Sequence, residues 1–209
     1  PTITNFSVRR NTGHSDTGLA LMGGSVVSHC VVTDNVASYE IGGIYLTGGR
    51  DLETRLTNCV VARNSDGWQR GAGVYIRSSG TVNIANCAIV DNVGIGLGSY
   101  LNSPESVHVL NTIVWGNAVE TNDLSLTVAY SNVEGGWEGD GNINADPIFR
   151  SYHGFEYLLA PDSPALDAGD PSIEDGVSDW HPRWPAGYPN DARSDMGAYG
   201  GSGNIGWVH

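Results

Sequence analysis

Residues 57–64 read Thr-Asn-Cys-Val-Val-Ala-Arg-Asn, and this stretch decides the fold. The same frame, which opens and closes mostly on asparagine, occurs five times along the chain. It starts at residues 5, 29, 58, 86 and 111, so successive frames are 24, 29, 28 and 25 residues apart. A repeat of that length is typical of a solenoid, in which each repeat forms one coil and packs against its neighbours.

The residue pattern inside each frame predicts which side chains face the core and which turn the chain. Strand side chains alternate, so the first and third residues after the opening position should point inward. These pairs are Phe6/Val8, Cys30/Val32, Cys59/Val61, Cys87/Ile89 and Thr112/Val114. The closing asparagines are Asn11, Asn35, Asn64, Asn92 and Asn117. We expect their amides to hydrogen-bond along the stack at about 4.8 Å per coil, and we expect each to turn the chain in the left-handed conformation. The row is therefore interpreted as structural and not catalytic.

Two further strands are predicted in every coil. The first precedes the frame and faces inward with Val27, Leu56, Ile84 and Val109; the second follows a variable loop and faces inward with Leu19/Leu21, Ile44/Leu46, Val74/Ile76, Leu97 and Leu124/Leu126. Three short strands and three turns per coil predict a parallel β-helix of about five coils over residues 1–136. This stretch resembles the right-handed parallel β-helix repeat proteins, so the expected fold class is an all-β, right-handed solenoid. The resemblance rests on the repeat pattern and implies a fold, not an activity.

Residues 137–209 break the period and are predicted to form an irregular C-terminal cap packed on the β-helix, because the open end of a solenoid needs covering. The expected anchors are Ile148, Phe149, Leu158, Leu166 and Tyr199. The motif order, with 142–149, 161–171 and Asp195-Met-Gly-Ala-Tyr199, resembles the C-terminal region of bacterial extracellular β-helix proteins of the choice-of-anchor Q type. That resemblance implies a secreted or surface-attached protein, often without an assigned activity.

Composition excludes some partners. The chain has 23 acidic and 10 basic residues, a net charge of −13, and all ten basic residues are arginine. Nucleic-acid binding needs basic patches, so it is not expected. No run of 18 apolar residues occurs, so no membrane span is expected. The chain opens at Pro1 without methionine or a signal peptide, and we expect a mature or trimmed piece of a longer protein.

The first coil and one outward stripe are candidate contact surfaces. The sequence from Pro1 onward contains no N-terminal cap, and we expect the first coil to be exposed, to continue into preceding residues, or to self-associate through the N-terminal open end. The outward positions of the frames form an apolar stripe of Val31, Val60, Ala88, Ile113, Ala62, Val90 and Trp115. Either the C-terminal segment or another chain should cover such a stripe, and we favour the C-terminal segment.

Cys30, Cys59 and Cys87 hold the same place in successive coils. A row of small buried hydrophobic side chains is the favoured interpretation. A disulfide between neighbouring coils is the alternative, although parallel Cβ directions fit poorly with the dihedral that a disulfide needs.

The outward face of the last strand of each coil is the candidate binding surface. One row contains Ala20, Tyr45, Tyr75, Gly98 and Ser125, and the next contains Met22, Thr47, Arg77, Tyr100 and Thr127. The candidate substrate-binding residues are Tyr45, Tyr75, Tyr100, Arg77 and Trp68. Such an aromatic strip suits the apolar face of a sugar ring. Ordinary aromatic packing across strands is the alternative interpretation.

Loops after the asparagine row supply the candidate catalytic groups. They carry His14, Asp16, Tyr39, Glu40, Asp66, Trp68, Arg70, Glu120 and Asp123. The catalytic candidates are Asp66, Arg70, Arg77, Asp16 and Glu40. A carboxylate pair can hydrolyse a glycoside, and an arginine beside a calcium site can abstract a proton next to a uronate carboxyl. The familiar motifs of β-helix pectinases and uronate epimerases are missing, so a non-catalytic glycan-binding or structural module is favoured over a calcium-assisted polysaccharide lyase or a glycoside hydrolase.

Two acidic stretches indicate a calcium hypothesis. In the first, oxygen-bearing side chains alternate as in a calcium loop, but the central glycine and the distal glutamate of an EF-hand are missing. The metal candidates are Asp140, Asn142, Asn144 and Asp146 in the first stretch and Asp167 and Asp170 in the second, with Asp175, Asp179 and Asp195 nearby. These side chains suit turn capping equally well.

Overall fold

The chain forms a parallel β-helix whose successive coils pair strand to strand. The computed structural model describes residues 1–48, 51–67, 72–78, 80–99, 106–117, 119–121, 126–177 and 191–208. Sheet A contains β1 (Thr2–Thr4), β5 (Val26–Ser28), β9 (Glu53–Thr57), β13 (Thr81–Ala85), β16 (Ser106–Leu110) and β19 (Leu126–Ala129). Sheet B contains β2 (Ser7–Arg9), β6 (Val31–Thr33), β10 (Val60–Ala62), β14 (Ala88–Val90), β17 (Ile113–Trp115) and β20 (Asn132–Val133).

Two further sheets and a C-terminal hairpin complete the architecture. Sheet C contains β3 (Thr12–Gly13), β7 (Val36–Ala37) and β11 (Ser65–Asp66). Sheet D contains β4 (Leu19–Met22), β8 (Ile44–Gly48), β12 (Val74–Ser78), β15 (Ile95–Ser99) and β18 (Val119–Thr121). The hairpin pairs β21 (Phe149–Tyr152) with β22 (Phe155–Leu159), and a short 3-10 helix spans Asn204–Val208.

The core inside the coils follows the predicted alternation. Cys30, Cys59 and Cys87 are buried beside one another in it, and all three thiols are free, so the disulfide alternative is wrong. Burial raises the pKa of the Cys59 thiol well above its ordinary value, which leaves little reactive thiolate. Phe6 departs from the prediction, because it is 57% exposed and not buried. It precedes β2 in the first coil, where sheet B has a neighbouring strand on one side.

The predicted asparagine row is present and continuous. The Asn35 side-chain amide donates to Asn64 Oδ1 at 2.9 Å, and Asn64 donates to Asn92 Oδ1 at 3.1 Å. The backbone N–H groups of Asn35 and Asn64 donate to the same two oxygens at 3.1 and 3.0 Å. The prediction that these asparagines themselves adopt the left-handed conformation is wrong. The residue before each of them adopts it, as Asp34 does with a φ of 61°, because the asparagine must aim two donors at the next coil.

A sixth, shortened frame starts at Tyr130, which the sequence pattern missed because no asparagine opens it. Tyr130 has a φ of 46°, like the opening residues of the other frames. Leu126–Ala129 therefore form a strand of sheet A, in which Thr127 pairs with His108. The prediction that Thr127 lies in the row of Arg77 is wrong, because β18 already occupies sheet D just after Asn117.

The C-terminal segment covers both the end and one side of the solenoid. Trp137 packs against the main core. Beyond it, the segment lies on the outer face of sheet B and forms a second core, which includes Val60, Ala88 and Ile113 from the coils and Leu158, Met196 and Tyr199 from the segment. The segment thus covers the apolar stripe, as predicted, and leaves little of it for another chain. Ile148, a predicted anchor, is partly exposed and has a φ of 47°.

The opening residues of the frames bind the C-terminal segment, a role that the sequence analysis missed. His29 Nε2 lies 2.7 Å from the Gly203 carbonyl oxygen. The Asn58 amide donates to the carbonyls of Ala198 and Gly200 at 3.1 and 2.8 Å. The Asn86 and Asn111 amides both donate to Ser194 Oγ, at 3.3 and 3.0 Å. The second to fifth coils therefore each use one asparagine to hold a neighbouring coil and another, or a histidine, to hold the segment.

Candidate functional site

Two tyrosines form an aromatic strip on the outer face of sheet D. In the parallel register, Tyr45 pairs with Ala20 on one side and with Tyr75 on the other, and Tyr75 pairs with Gly98. The two rings lie 6.1 Å apart between centroids and are tilted by 33°. Ala20 and Gly98 carry at most a methyl group, so no bulky side chain stands beside the rings in this row.

A second row runs alongside the strip and adds polar groups. Met22, Thr47 and Arg77 pair in register across β4, β8 and β12. Met22 is 76% exposed, and Arg77 is also exposed. Tyr100, Ser125 and Trp68, which the sequence analysis placed on or beside this surface, lie outside the described residues. The described part of the surface therefore offers two tyrosine rings, a guanidinium group and a hydroxyl group.

The loops that lead into β4 and β8 stack on one another. The rings of His14 and Tyr39 are stacked, with centroids 5.0 Å apart and an interplanar angle of 22°. The backbone N–H of Tyr39 donates to the His14 carbonyl at 2.9 Å. Equivalent residues of the two loops therefore lie one above the other. Their acidic residues, Asp16 and Glu40, come together where the chain enters sheet D.

Asp16 and Glu40 are the carboxylates that the stacked loops bring together. Burial, and then the charge of Glu40, raise the pKa of Asp16, while a hydrogen bond from the backbone of Ile41 lowers it. Asp16 Oδ1 is buried and has no hydrogen-bond partner among the described residues. Asp16 is half-buried and Glu40 is exposed. A carboxyl group whose pKa is raised by burial beside a second carboxyl group is a feature of acid–base pairs.

The other catalytic candidates are placed less favourably. Asp66 lies in β11 and is only 8% exposed, so a polymer reaches it less easily than Glu40. Arg70 lies outside the described residues, as do Asp123 and Asp179. Of the five catalytic candidates, the structure brings Asp16 and Glu40 together and places Arg77 on the sheet beyond them.

The metal candidates mostly hold turns. Asn142 Oδ1 accepts from the Ser131 N–H at 2.9 Å, and Asn144 Oδ1 accepts from Gly135 at 3.2 Å. Asp146 Oδ1 accepts from the Ile148 N–H at 2.9 Å. Asp170 accepts from the Ser172 N–H and hydroxyl, which lowers its pKa. Within the described part of the chain, no group of three or more His, Cys, Asp or Glu side chains is placed to hold a metal ion.

Asp195 is the most deeply buried carboxyl group among these acidic residues. It is 1% exposed, and its Oδ1 accepts from the Asp167 N–H at 2.7 Å. Its own N–H donates to Asp175 Oδ1 at 3.3 Å. Asp195 Oδ2 is buried without a hydrogen-bond partner among the described residues. Burial, and then the charge of Asp175, raise the pKa of Asp195 well above its ordinary value.

Comparison with known families agrees with this architecture. A family model described as a right-handed β-helix region matches residues 1–141, which is more than half of the chain. The chain therefore belongs to the right-handed β-helix family, and the predicted fold class is confirmed. Comparisons with curated proteins and with solved structures give no match. In the described part of the chain, no helix has the length and hydrophobicity needed to cross a membrane.

Proposed function

We propose that this protein is a non-catalytic, secreted or cell-surface module that binds carbohydrate on the outer face of sheet D. The observation that supports this function is the pair of tyrosine rings, Tyr45 and Tyr75, 6.1 Å apart in register on adjacent coils. Aromatic faces pack against the C–H face of a sugar, and the phenol hydroxyls bind its polar edge. Arg77 and Thr47, in the next row, supply further polar contacts.

The orientation of the strip favours a polymer that runs along the solenoid axis. The two rings belong to successive coils, so a chain lying along the axis meets both, whereas a chain lying along one strand meets one. A binding site with two aromatic contacts on a rigid sheet needs little reorganisation when a ligand binds, which favours affinity. An extracellular location is part of this proposal and is supported by the likeness of Asp195–Tyr199 and its neighbouring motifs to the choice-of-anchor Q region.

Substitution of the strip tests the proposal. In the variant Tyr75→Ala, affinity for the preferred glycan should fall about tenfold or more, since loss of one aromatic anchor commonly costs more than ~1.4 kcal/mol. Tyr75→Phe keeps the ring and should lose less. A glycan array would identify the ligand, and calorimetry would compare the variants. The matched control is Phe6→Ala, an exposed aromatic residue in the first coil, which should bind as the unmodified protein does.

Two results would contradict the glycan-binding function. One is the absence of binding to any polysaccharide of plant, algal or bacterial origin. The other is unchanged affinity in both Tyr45→Ala and Tyr75→Ala, with melting temperatures that show both variants to be folded.

A second candidate function is an enzyme, a calcium-assisted polysaccharide lyase or a glycoside hydrolase. The observation that favours it is the pair of Asp16 and Glu40, in which burial and Glu40 raise the pKa of Asp16. A half-buried carboxyl group with a raised pKa suits the general acid, and an exposed carboxyl group beside it suits the second catalytic position. Calcium at the acidic side chains of the C-terminal segment is likewise a proposal.

A product assay separates the two functions. The protein would be incubated with a panel of polysaccharides, once with calcium and once with a chelator, and oligosaccharides would be analysed by mass spectrometry. If the protein is an enzyme, Asp16→Asn should lower the rate about 100-fold or more, the usual contribution of a general acid, and Asp66→Asn should change it little. Products that form equally with Asp16→Asn and Glu40→Gln would contradict the assignment of these two residues.

A further inference from the structure

The first coil differs from all later coils in the exposure of its core positions. Its strands β1, β2, β3 and β4 lie at the edges of the four sheets. Ile3, Val8 and Leu19 are only partly buried, although the residues that pair with them in the second coil are fully buried. Phe6 adds a largely exposed ring to the same edge. This edge is therefore an apolar surface framed by four strands, each paired on one side only among the described residues, and a surface of this kind accepts another strand.

The hydrogen bonds of the asparagine row all run in one direction along the solenoid, and the Oδ1 of its first member, Asn11, accepts none from the described residues. In each described step, the Oδ1 of one asparagine accepts from the backbone and side chain of the asparagine one coil earlier. Asn11 donates to Asn35 Oδ1 in this way, at 3.1 and 2.9 Å. Asn11 itself is exposed, and no described residue donates to its Oδ1. That oxygen is thus placed to accept the two N–H groups of one more asparagine.

The residues that precede the first four closing asparagines form a row of alternating charge, and Gly116, which precedes the fifth, is uncharged. The row reads Arg10, Asp34, Arg63, Asp91 along successive coils. Arg63 binds Asp34 through two hydrogen bonds, of 2.8 and 3.0 Å. The Tyr157 hydroxyl bridges Arg63 and Asp91, at 2.7 and 2.9 Å. Arg10 forms no ion pair with any described residue, although its charge helps Arg63 to lower the pKa of Asp34. Continued by one coil beyond Arg10, at the N-terminal edge, the same alternation calls for an acidic residue.

We propose that the N-terminal edge is a docking surface for a further parallel β-coil whose corner carries an acidic residue followed by asparagine. The asparagine of that coil donates to Asn11 Oδ1, its acidic side chain pairs with Arg10, and its inward apolar residues cover Ile3, Phe6 and Val8. Strand pairing with β1–β4 supplies the backbone hydrogen bonds, and the corner supplies the specificity.

A second copy of this chain does not fit the same surface. Its own Asp-Asn corners, at 34–35 and 91–92, are enclosed by neighbouring coils. Its other end is closed, because Trp137 packs on the core and Asn132 forms a parallel bridge to Ile143. In a pair of N-terminal edges, the corner that each copy presents is Arg10-Asn11, which carries no acidic residue to pair with Arg10 of the other copy.

Insertion of one coil tests the proposal without knowledge of the natural partner. A duplicate of residues 2–25 is placed between Pro1 and Thr2, which keeps the 24-residue register of the first two coils. Three versions differ at the corner of the duplicate: one carries Arg10→Asp, one is unaltered, and one carries both Arg10→Asp and Asn11→Ala. Hydrogen exchange and melting temperature are then measured for each.

The Arg10→Asp version should slow amide exchange in β1–β4 about tenfold or more and raise the melting temperature by about 3 °C or more. Each of the other two versions should show less than half of that rise in melting temperature. The unaltered version places arginine against arginine, and the third version lacks the asparagine. Exchange of all three inserted coils at the rate of an unstructured chain, or equal behaviour of all three, would overturn the proposal. So would a dimer of the original protein that the variant Phe6→Asp dissociates, because a second copy would then occupy the edge.

Discussion

Replacement of Asn64 by alanine is expected to destabilise the protein by about 3–5 kcal/mol. Asn64 is fully buried. Its amide donates to the Val32 carbonyl at 2.9 Å and to Asn92 Oδ1 at 3.1 Å, and its Oδ1 accepts two hydrogen bonds from Asn35. Alanine removes all four of these hydrogen bonds and leaves the buried Asn35 N–H without its acceptor. Asn92 Oδ1 keeps the backbone N–H of residue 64, and the Asn35 amide keeps the Val8 carbonyl. An unmet buried donor or acceptor costs about 1–3 kcal/mol, partly recovered by relaxation.

The matched control for this prediction is Asn11→Ala. Asn11 donates to Asn35 Oδ1 through its backbone N–H and its side-chain amide, and alanine removes only the amide. Asn11 is exposed, so water can replace the lost amide. The control should lose less than about 1 kcal/mol. Urea unfolding with linear extrapolation measures both free energies. Equal losses at the two positions would show that burial of the row does not determine its contribution to stability.

This row also shows how far the sequence determines the fold. A repeat with fixed residue types at fixed places predicts the coils, the inward residues and the asparagine row, because every coil must match its neighbour. The predicted left-handed corner was displaced by one residue, to Asp34 instead of Asn35. Spacing identifies the asparagine as the residue that repeats. Which of the two adjacent residues adopts the left-handed conformation depends on the direction in which the asparagine amide and backbone N–H must both point.

The opening residues of the frames were harder to interpret, for a different physical reason. Asn58 and Asn86 repeat as regularly as the closing asparagines, yet their partners are carbonyl and hydroxyl groups in 194–200. That segment has no repeat, so sequence spacing cannot align it with the coils. The apolar stripe predicted that something covers sheet B, and the unrepeated contacts decide which part of the segment lies on which coil.

In the candidate binding surface, too, the sequence predicts the features that repeat from coil to coil and misses those that do not. Tyr45 and Tyr75 were placed side by side because both stand in the same position of regular strands, and the register confirms this. Thr127 was misplaced because one short coil shifts every later residue by a strand. The nearness of Asp16 and Glu40 depends on two loops of similar length, and its effect on the pKa of Asp16 depends on burial, which residue spacing does not measure.

A second large effect is expected from Asp195→Asn, which should stabilise the protein by about 1–3 kcal/mol at pH 7–8. On folding, the unmodified protein must either bury the Asp195 charge or bind a proton there, and asparagine does neither. The asparagine Oδ1 can still accept from the Asp167 N–H, and its amide group takes the place of the unpartnered Oδ2. The sign follows from the raised pKa of Asp195. Above about pH 4 the unfolded chain releases a proton that folded Asp195 retains, so the stability of the unmodified protein falls as pH rises through the folded pKa.

The pH dependence distinguishes this mechanism from a general effect of removing one negative charge. Below about pH 4 Asp195 is protonated in both states, and the advantage of Asp195→Asn should disappear. The control is Asp170→Asn, in the same segment, where hydrogen bonds from Ser172 lower the pKa of the carboxyl group. Loss of that charge should remove a small stabilisation that is present above about pH 4, so its effect has the opposite sign. Urea unfolding between pH 3 and 8 measures both variants. A loss of stability in Asp195→Asn at pH 7, abolished by a chelator, would instead mean that a bound cation compensates the carboxylate, and would favour the calcium proposal.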